Sequence, residues 1–376
     1  MKSSYRKVVI KIGSNVLTRE DGLPDSSRIE HLVLQLSTIK KQGIEVVLVS
    51  SGAVASGRSL IKIQEKQNAV AARQLLASIG QIKLINTYMQ LFEKQGLLCS
   101  QVLVTKEDFR DRMHYLNIKN CLEILSQHHV IPIVNENDVV SVTELMFTDN
   151  DELAGLVASM LNADALIILS NVDGIYNGDP KKEGTSVIEQ IKPGTNNLSS
   201  FITTAKSGFG RGGMVTKLSM AQKIAKLGIP VHIANGTKDH IITDVLSGNV
   251  VHTQFLAEKN TSGKKKWIAH SENAATGVVK LNLGAQQALM SGKASSLLPV
   301  GIIELQGPFL KGDIIKLVGE DEQLIGLGIA EYGADKALER IGLKGQKPLV
   351  HYNYFYAVGL SALEITTIFT PLANRL

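Results

Sequence analysis

The chain has 376 residues, long enough for two domains, and its 44% hydrophobic content with only 5% aromatic residues suits an aliphatic α/β core and argues against disorder. The net charge of +5 divides into +3 for residues 1–260 (28 basic, 25 acidic) and +2 for 261–376 (12 basic, 10 acidic), and neither part has the concentrated charge of a dedicated nucleic-acid binder. The two cysteines, Cys99 and Cys121, lie in apolar runs and read as reduced core residues; no run approaches a membrane span or a signal h-region, so a soluble, cytoplasmic protein is expected.

In chain order, Lys7–Ile12 reads as a short apolar strand that carries Lys11 inside it and breaks at Gly13-Ser14-Asn15. A lysine beside a glycine turn at a strand end can hold phosphate, although strand-end lysines are commonly just solvated. Ser26 or Ser27 is expected to cap a helix with apolar positions Ile29, Leu32, Val33, Leu36 and Ile39, closed by Gly43. Ile44–Val49 is a buried-type strand running into SSGAVASG. Small residues there let an anion touch backbone N–H groups at the next helix start, and a tight turn would look the same. Asn68–Lys94 is an Ala/Leu-rich helical stretch with a break expected near Gly80, Leu97–Val104 a strand, and Met113–His129 a helix.

The densest signal lies in residues 130–176. An apolar run, Val130–Val134, stops in NEND; TDND opens an amphipathic run ending at LNAD; a second apolar run, Ala165–Leu169, stops in Ser-Asn. That is a βαβ unit, and both strands lose their apolar character at the C-terminal ends, where open α/β sheets bind ligands. Asn135, Asn137, Asp138, Asp149, Asn150 and Asp151 crowd that edge. Any one Asx residue can be a turn or cap; six on one edge point to a site.

After Tyr176 a polar excursion to about residue 200 suggests a hairpin or lid-like loop, and SGFGRGG (207–213) precedes a helical run that carries Lys217 in its first turn. GFGRGG matches G-x-G-x-x-G, but no strand immediately precedes it and no acidic residue ends Val231–Ala234, so the dinucleotide fingerprint fails its context test. A glycine loop with a lysine at a helix start still favours phosphate. Strands and helices alternate from residue 7 to about 234, which implies a parallel sheet covered on both faces. Residues 257–266 read as a polar, basic linker in which Lys264–Lys266 is solvated. Short strands follow (Trp267–Ala269, Gly277–Leu281, Gly301–Leu305, Ile314–Leu317, Leu324–Ala330, Ala357–Gly359) with a helix near Asp335–Arg340, a second, β-rich grammar.

These pieces resemble the amino-acid kinase family, closely its glutamate 5-kinase branch with a C-terminal PUA domain. The carriers are VVIKIGSNVLT (8–18), SSGAVASGR (50–58), RQLLASIGQ (73–81), INTYMQLF (85–92), VIPIVNENDVVS (130–141), DNDELAGLVA (149–158), DGIYNGDP (173–180), GRGGMVTKL (210–218) and SSLLPVGI (295–302). The resemblance covers essentially the whole chain and implies a three-layer αβα sandwich with a mostly parallel central sheet in 1–258. It further implies a linker and the start of the second domain in 259–275, a small β-rich PUA domain in 276–354, and a tail in 355–376.

By resemblance the activity is transfer of the ATP γ-phosphoryl to the side-chain carboxylate of L-glutamate, the first step of L-proline biosynthesis, with Mg²⁺ carried by ATP and no protein metal ligand assigned. Lys11, Lys217 and Asp151 are the implied catalytic residues. Ser51, Gly52, Ala53, Asn135, Asp138 and Asn150 would hold glutamate, with Asp138 suited to its α-ammonium and the backbone at Ser51–Ala53 to its α-carboxylate. Lys11, Gly13, Ser170, Asn171, Arg211, Gly212, Gly213, Met214, Val215, Thr216 and Lys217 would hold the nucleotide. Asn171 stands where the family usually has Asp; Asn keeps the shape and loses the charge, so a shifted nucleotide affinity is expected. The resemblance also implies a homo-oligomer (dimer or tetramer), feedback inhibition by L-proline and hand-off to glutamyl phosphate reductase, with no membrane or nucleic-acid partner expected despite the PUA domain. The alternative is a sister kinase acting on acetylglutamate or aspartate, against which the Arg73–Gln81 block and the PUA-like tail argue.

Overall fold

A computed structural model of the protein describes residues 5–63, 68–141, 147, 149–180, 182–193, 195, 213–258, 263–269, 271–272, 275–291 and 294–358. It divides into two compact units, Met1–Asn260 and Thr261–Leu376.

In the first unit β1 (Lys7–Ile12) turns through α1 (Ser14–Leu17) into α2 (Ser26–Lys41). The cap of α2 is Asp25, not either serine: its carboxylate accepts from the Arg28 N–H at 3.0 Å and sits at the positive end of the helix dipole. β2 (Glu45–Ser50) leads through Gly52, left-handed at φ +108°, into α3 (Ala53–Arg58). α4 (Ala69–Glu93) then runs unbroken past Gly80. Gly80 is a contact point: a Cβ there would meet Ala53 O at 1.9 Å and Gly57 N at 2.4 Å, so only glycine lets α4 lie against the α3 backbone.

β3 (Cys99–Val104), α5 (Lys106–Arg110), α6 (Arg112–Gln127) and β4 (Ile131–Glu136) follow. Cys99 is half-buried and packs against the core, whereas Cys121 is exposed and not a core residue: α6 buries the face of Tyr115 and Leu122 and turns Cys121 outward. The unit continues with α7 (Asn150–Leu161), β5 (Ala165–Ser170), β6 (Gln190–Ile191), α8 (Met214–Lys226), β7 (Val231–Asn235), α9 (Ile241–Ser247) and β8 (Thr253–Phe255). Tyr176 bridges Val187 antiparallel, which makes the start of the polar excursion a hairpin.

The strands form one sheet in the order β3-β4-β2-β1-β5-β7-β8-β6, parallel except that β7 and β8 pair antiparallel. Val8, Ile10 and Ile12 share a buried cluster with α2, α4 and α9. Strand alternation therefore turns Val9 and Lys11 to the opposite face, which α7 covers. β1 has β2 on one side and β5 on the other, so its two flanking connections diverge and open a crevice at the C-terminal strand ends.

The second unit holds α10 (Gly263–Ala269), β9 (Gly277–Leu281), α11 (Leu283–Met290), β10 (Ile302–Gln306), β11 (Ile314–Val318), β12 (Leu324–Ile329), α12 (Ala334–Leu338) and β13 (Phe355–Ala357). Its sheet runs β10-β9-β11-β12-β13 around a core that includes Val279, Leu281, Ile315, Leu317 and Ile325. Trp267–Ala269 is helical, not a strand, and Lys266 is buried, not a solvated linker residue. Three consecutive apolar residues do not distinguish a strand from a buried helical turn. The last strand lies at 355–357, two residues before its expected start, and Gly359 lies outside the described residues.

Candidate active site

The crevice is built on three helix and strand ends. Asp149 caps α7, accepting from the backbone of Asp151 at 2.9 Å and of Glu152 at 3.1 Å, which points Asp151 in the first turn toward β1. Lys11 meets it: Nζ lies 2.5 Å from Asp151 Oδ1, with the lysine 4% exposed and the aspartate fully buried. Lys217, in the first turn of α8, donates to the other oxygen, Oδ2, at 2.6 Å. Its reach depends on close packing of α8 on α7, where a Cβ on Gly155 would meet Met220 Sδ at 2.6 Å. Thr216 ties the two helix starts together by donating to Asp149 Oδ2 at 3.0 Å. Burial alone would raise the Asp151 pKa; the charges of Lys11 and Lys217 outweigh it and hold the group at about 2, a carboxylate at any ordinary pH. Burial raises Asp149, helped by the charge of Asp151.

A second group of residues forms the other end. Asn150 Nδ2 donates to Ser51 Oγ at 2.8 Å and to Asn135 Oδ1 at 3.0 Å, and Asn135 donates to Gln81 Oε1 of α4 at 3.0 Å. Asp138, in the turn after β4, is bound by the guanidinium of Arg73 from α4 through both Nε and Nη2. The same Nη2 lies 3.5 Å from Glu136 Oε2, while Glu136 Oε1 accepts the Phe147 N–H at 2.9 Å. Burial, then the nearby charge of Asp138, raises Glu136 to about 7. Burial also raises Asp138, against the opposing pull of Arg73.

A cavity of about 1110 Å³ joins the two ends, lined by Lys11, Gly13, Ser51, Gly52, Ala53, Arg73, Asn135, Glu136, Asp138, Asp149, Asn150, Ser170, Asn171 and Lys217 among others. That is room for a nucleotide and a small acid together. Asp151 does not line the cavity; Lys11 and Lys217, which do, both bond to its carboxylate. Gly13 matters for space: a Cβ would come within 3.3 Å of Lys11 Nζ. Gly213, Met214, Val215 and Thr216 start α8 without lining the cavity, and Arg211 and Gly212 lie outside the described residues. No histidine among the described residues lines it.

Glu136, Arg73 and Gln81 were not among the site residues expected from sequence, although the Arg73–Gln81 block helped carry the family resemblance. Arg73 and Gln81 sit on the face of α4 marked by buried Leu76, Ala77, Gly80 and Leu84, a periodicity that could have aimed them at the sheet edge. Chemically, one end offers two ammonium groups locked on a single carboxylate, suited to a phosphoryl group. The other offers carboxylates and amides, suited to an acid that also bears an amine.

The sequence model of the amino acid kinase family matches residues 6–235, and that of the PUA domain matches 277–352. A glutamate 5-kinase of Chlorobaculum tepidum is 50% identical over 355 residues, 94% of this chain and 98% of that one. A glutamate 5-kinase of Bacteroides thetaiotaomicron is 50% identical over 359 residues, covering 95% and 99%. Among solved structures, carbamate kinase from Giardia lamblia bound to AMP-PNP aligns with 68% of this chain and 100% of its own, at a TM-score of 0.50 and 20% identity, a likeness of fold.

Proposed function

The chain belongs to the amino acid kinase family, among the glutamate 5-kinases, and on that premise we propose that it transfers the γ-phosphoryl of ATP to the side-chain carboxylate of L-glutamate, giving L-glutamyl 5-phosphate and ADP, the first step of L-proline biosynthesis. The observation that carries the mechanism is the Lys11–Asp151–Lys217 bridge at the crevice. Phosphoryl transfer depends mainly on positioning and on compensating the charge of the transferring group. Lys11 and Lys217 supply two fixed positive charges, and Asp151 keeps both charged and aimed. Mg²⁺ carried by the nucleotide would supply further charge neutralisation at the phosphates.

In this reading the glutamate side chain points at the lysines, Asp138 takes the α-ammonium, and Ser51, Asn135 and Asn150 hold the chain between. The backbone from Ser51 to Ala53 takes the α-carboxylate. The acceptor is already an anion at neutral pH, so no residue has to remove a proton from it. Ser170 and Asn171, at the end of β5, serve the nucleotide with the loop leading into α8. The names of the relatives favour glutamate over acetylglutamate or aspartate. The test is ADP release with each of the three acceptors: glutamate should lead by orders of magnitude, and equal turnover of acetylglutamate or aspartate would overturn the assignment. The reading extends to a cytoplasmic homo-oligomer inhibited by L-proline, which passes its reactive acyl phosphate to glutamyl phosphate reductase. Among the described residues no helix is long and apolar enough to cross a membrane.

A further inference from the structure

Among the described residues, two buried carboxylates at the substrate end of the cavity share one ion-pair partner. Glu136 and Asp138 are both buried, at 4% and 8% exposure, and both face one guanidinium, that of Arg73. Glu136 Oε1 accepts the Phe147 N–H, and the carboxyl of Glu136 is hydrogen-bonded to that of Asp138, a contact that requires a proton between two carboxylate oxygens. Among the described residues Arg58 and Lys62 also line the cavity but pair with neither carboxylate, and the other charged groups nearby are engaged elsewhere. On α7, Glu152 pairs with Lys106 of α5 at 3.1 Å, Asp149 with Thr216, and Asp151 with its two lysines. On α5, Asp108 closes its own cap at Thr105. The residue of β3 in register with Glu136 is the apolar Val104, and Gln81 of α4 is neutral. Two buried carboxylates around a single cation cannot both ionise cheaply, and such a pair takes up one proton. The elevated pKa of Glu136, caused by burial and the charge of Asp138, points the same way.

We propose that Glu136 and Asp138 hold one proton between them in the empty pocket, and that this proton leaves to solvent when the α-ammonium of glutamate docks on Asp138. The ammonium is a second cation at the cluster, enough to let both carboxylates ionise. Glu136 is then a positioning residue, and glutamate binding is coupled to proton release. The proposal rests on the reading of this pocket as the glutamate site. Because ligand binding expels a proton, affinity rises with pH: with Glu136 near 7, KM for glutamate falls about tenfold between pH 6 and pH 8 and then levels off. At saturating glutamate the pair is already ionised, so kcat does not follow.

The experiment is calorimetric titration of glutamate into the full chain at pH 6.5, in buffers of different ionisation enthalpy, with and without Mg²⁺ and a non-hydrolysable ATP analogue. The dependence of heat on buffer reads the protons released, expected to be about three-quarters of a proton per glutamate in the wild-type protein. Glu136→Gln should still bind glutamate with heats independent of buffer and a KM that no longer varies over pH 6–8. The wild-type titration needs no variant: glutamate binding with buffer-independent heat overturns the proposal while leaving the site assignment standing. Proton release undiminished in Glu136→Gln overturns it too, since another group would be responsible. No glutamate-dependent heat under either condition overturns the pocket reading and the proposal together.

Discussion

Lys217→Met is the most informative single change at the phosphoryl end. Methionine preserves most of the stem, which is largely buried with the side chain 12% exposed, and deletes the ammonium that lies 2.6 Å from Asp151. Lys11 remains 2.5 Å from the other carboxylate oxygen, so Asp151 keeps one partner and stays ionised at pH 7. The stability cost therefore falls below the roughly 3–5 kcal/mol of a buried charge left wholly unpaired. The transition state loses one of two fixed positive charges on the transferring phosphoryl. By analogy with a lost oxyanion donor, that is worth about 2.7–4 kcal/mol, or a factor of roughly 10²–10³ in kcat. Lys217 lies at the phosphoryl end of the cavity, away from Asp138, so KM for glutamate should change little. The assay is steady-state ADP release with both substrates varied, alongside a thermal melt to show that the variant is folded. A folded Lys217→Met protein with kcat within about threefold of wild type would refute the charge-compensation argument.

Asp138→Asn should act in the opposite sense, raising KM for glutamate roughly 10- to 100-fold with a smaller change in kcat, because a charge-assisted contact to a ground-state ammonium is worth about 1.5–3 kcal/mol; a normal KM would remove Asp138 from the site. Gly80→Ala should lower the melting temperature and also kcat/KM, since the new methyl collides with Ala53 O and Gly57 N and the overpacking cost of about 1–3 kcal/mol is relieved by moving α3, and with it Gly52 and Ala53; unchanged stability would show that the helices are not locked there. With saturating substrates and excess Mg²⁺, kcat should stay level from about pH 8 to pH 6, where a histidine base would titrate; a tenfold fall per pH unit in folded enzyme would require a general base.

The sheet and the position of the crevice were legible because central parallel strands are buried on both faces and read as continuous apolar runs ending in polar turns. Strand alternation also accounts for Lys11, the interior lysine of KVVIKI: a buried ammonium inside a strand demands a partner, and the first turn of a helix over that face supplies one in Asp151. The distances were not legible, since Lys11, Asp151 and Lys217 are separated by 140 and 66 residues and meet only through the packing of α7 on β1 and of α8 on α7. Glu136 was passed over for a physical reason: the apolar run stops at Val134, so Glu136 reads as part of a polar turn, whereas the buried strand continues through it and sets it beside Arg73. Asp25 displaced the expected serine caps because the helix starts one residue earlier than the first apolar position suggests. In the second unit, Lys264-Lys265-Lys266 looked like solvated linker, yet the helical turn it opens buries Lys266 beside Trp267 and Ile268.

The central claim is that an acyl phosphate forms on the glutamate side chain, and trapping that product tests it most directly. The full-length protein is incubated with ATP, Mg²⁺, L-glutamate and hydroxylamine, and glutamyl hydroxamate is measured against ADP. The predicted result is hydroxamate that requires both ATP and glutamate, tracks ADP in equal amount, and collapses in Lys217→Met and Asp151→Asn. ADP release without hydroxamate, or hydroxamate formed equally well in both variants, would contradict it.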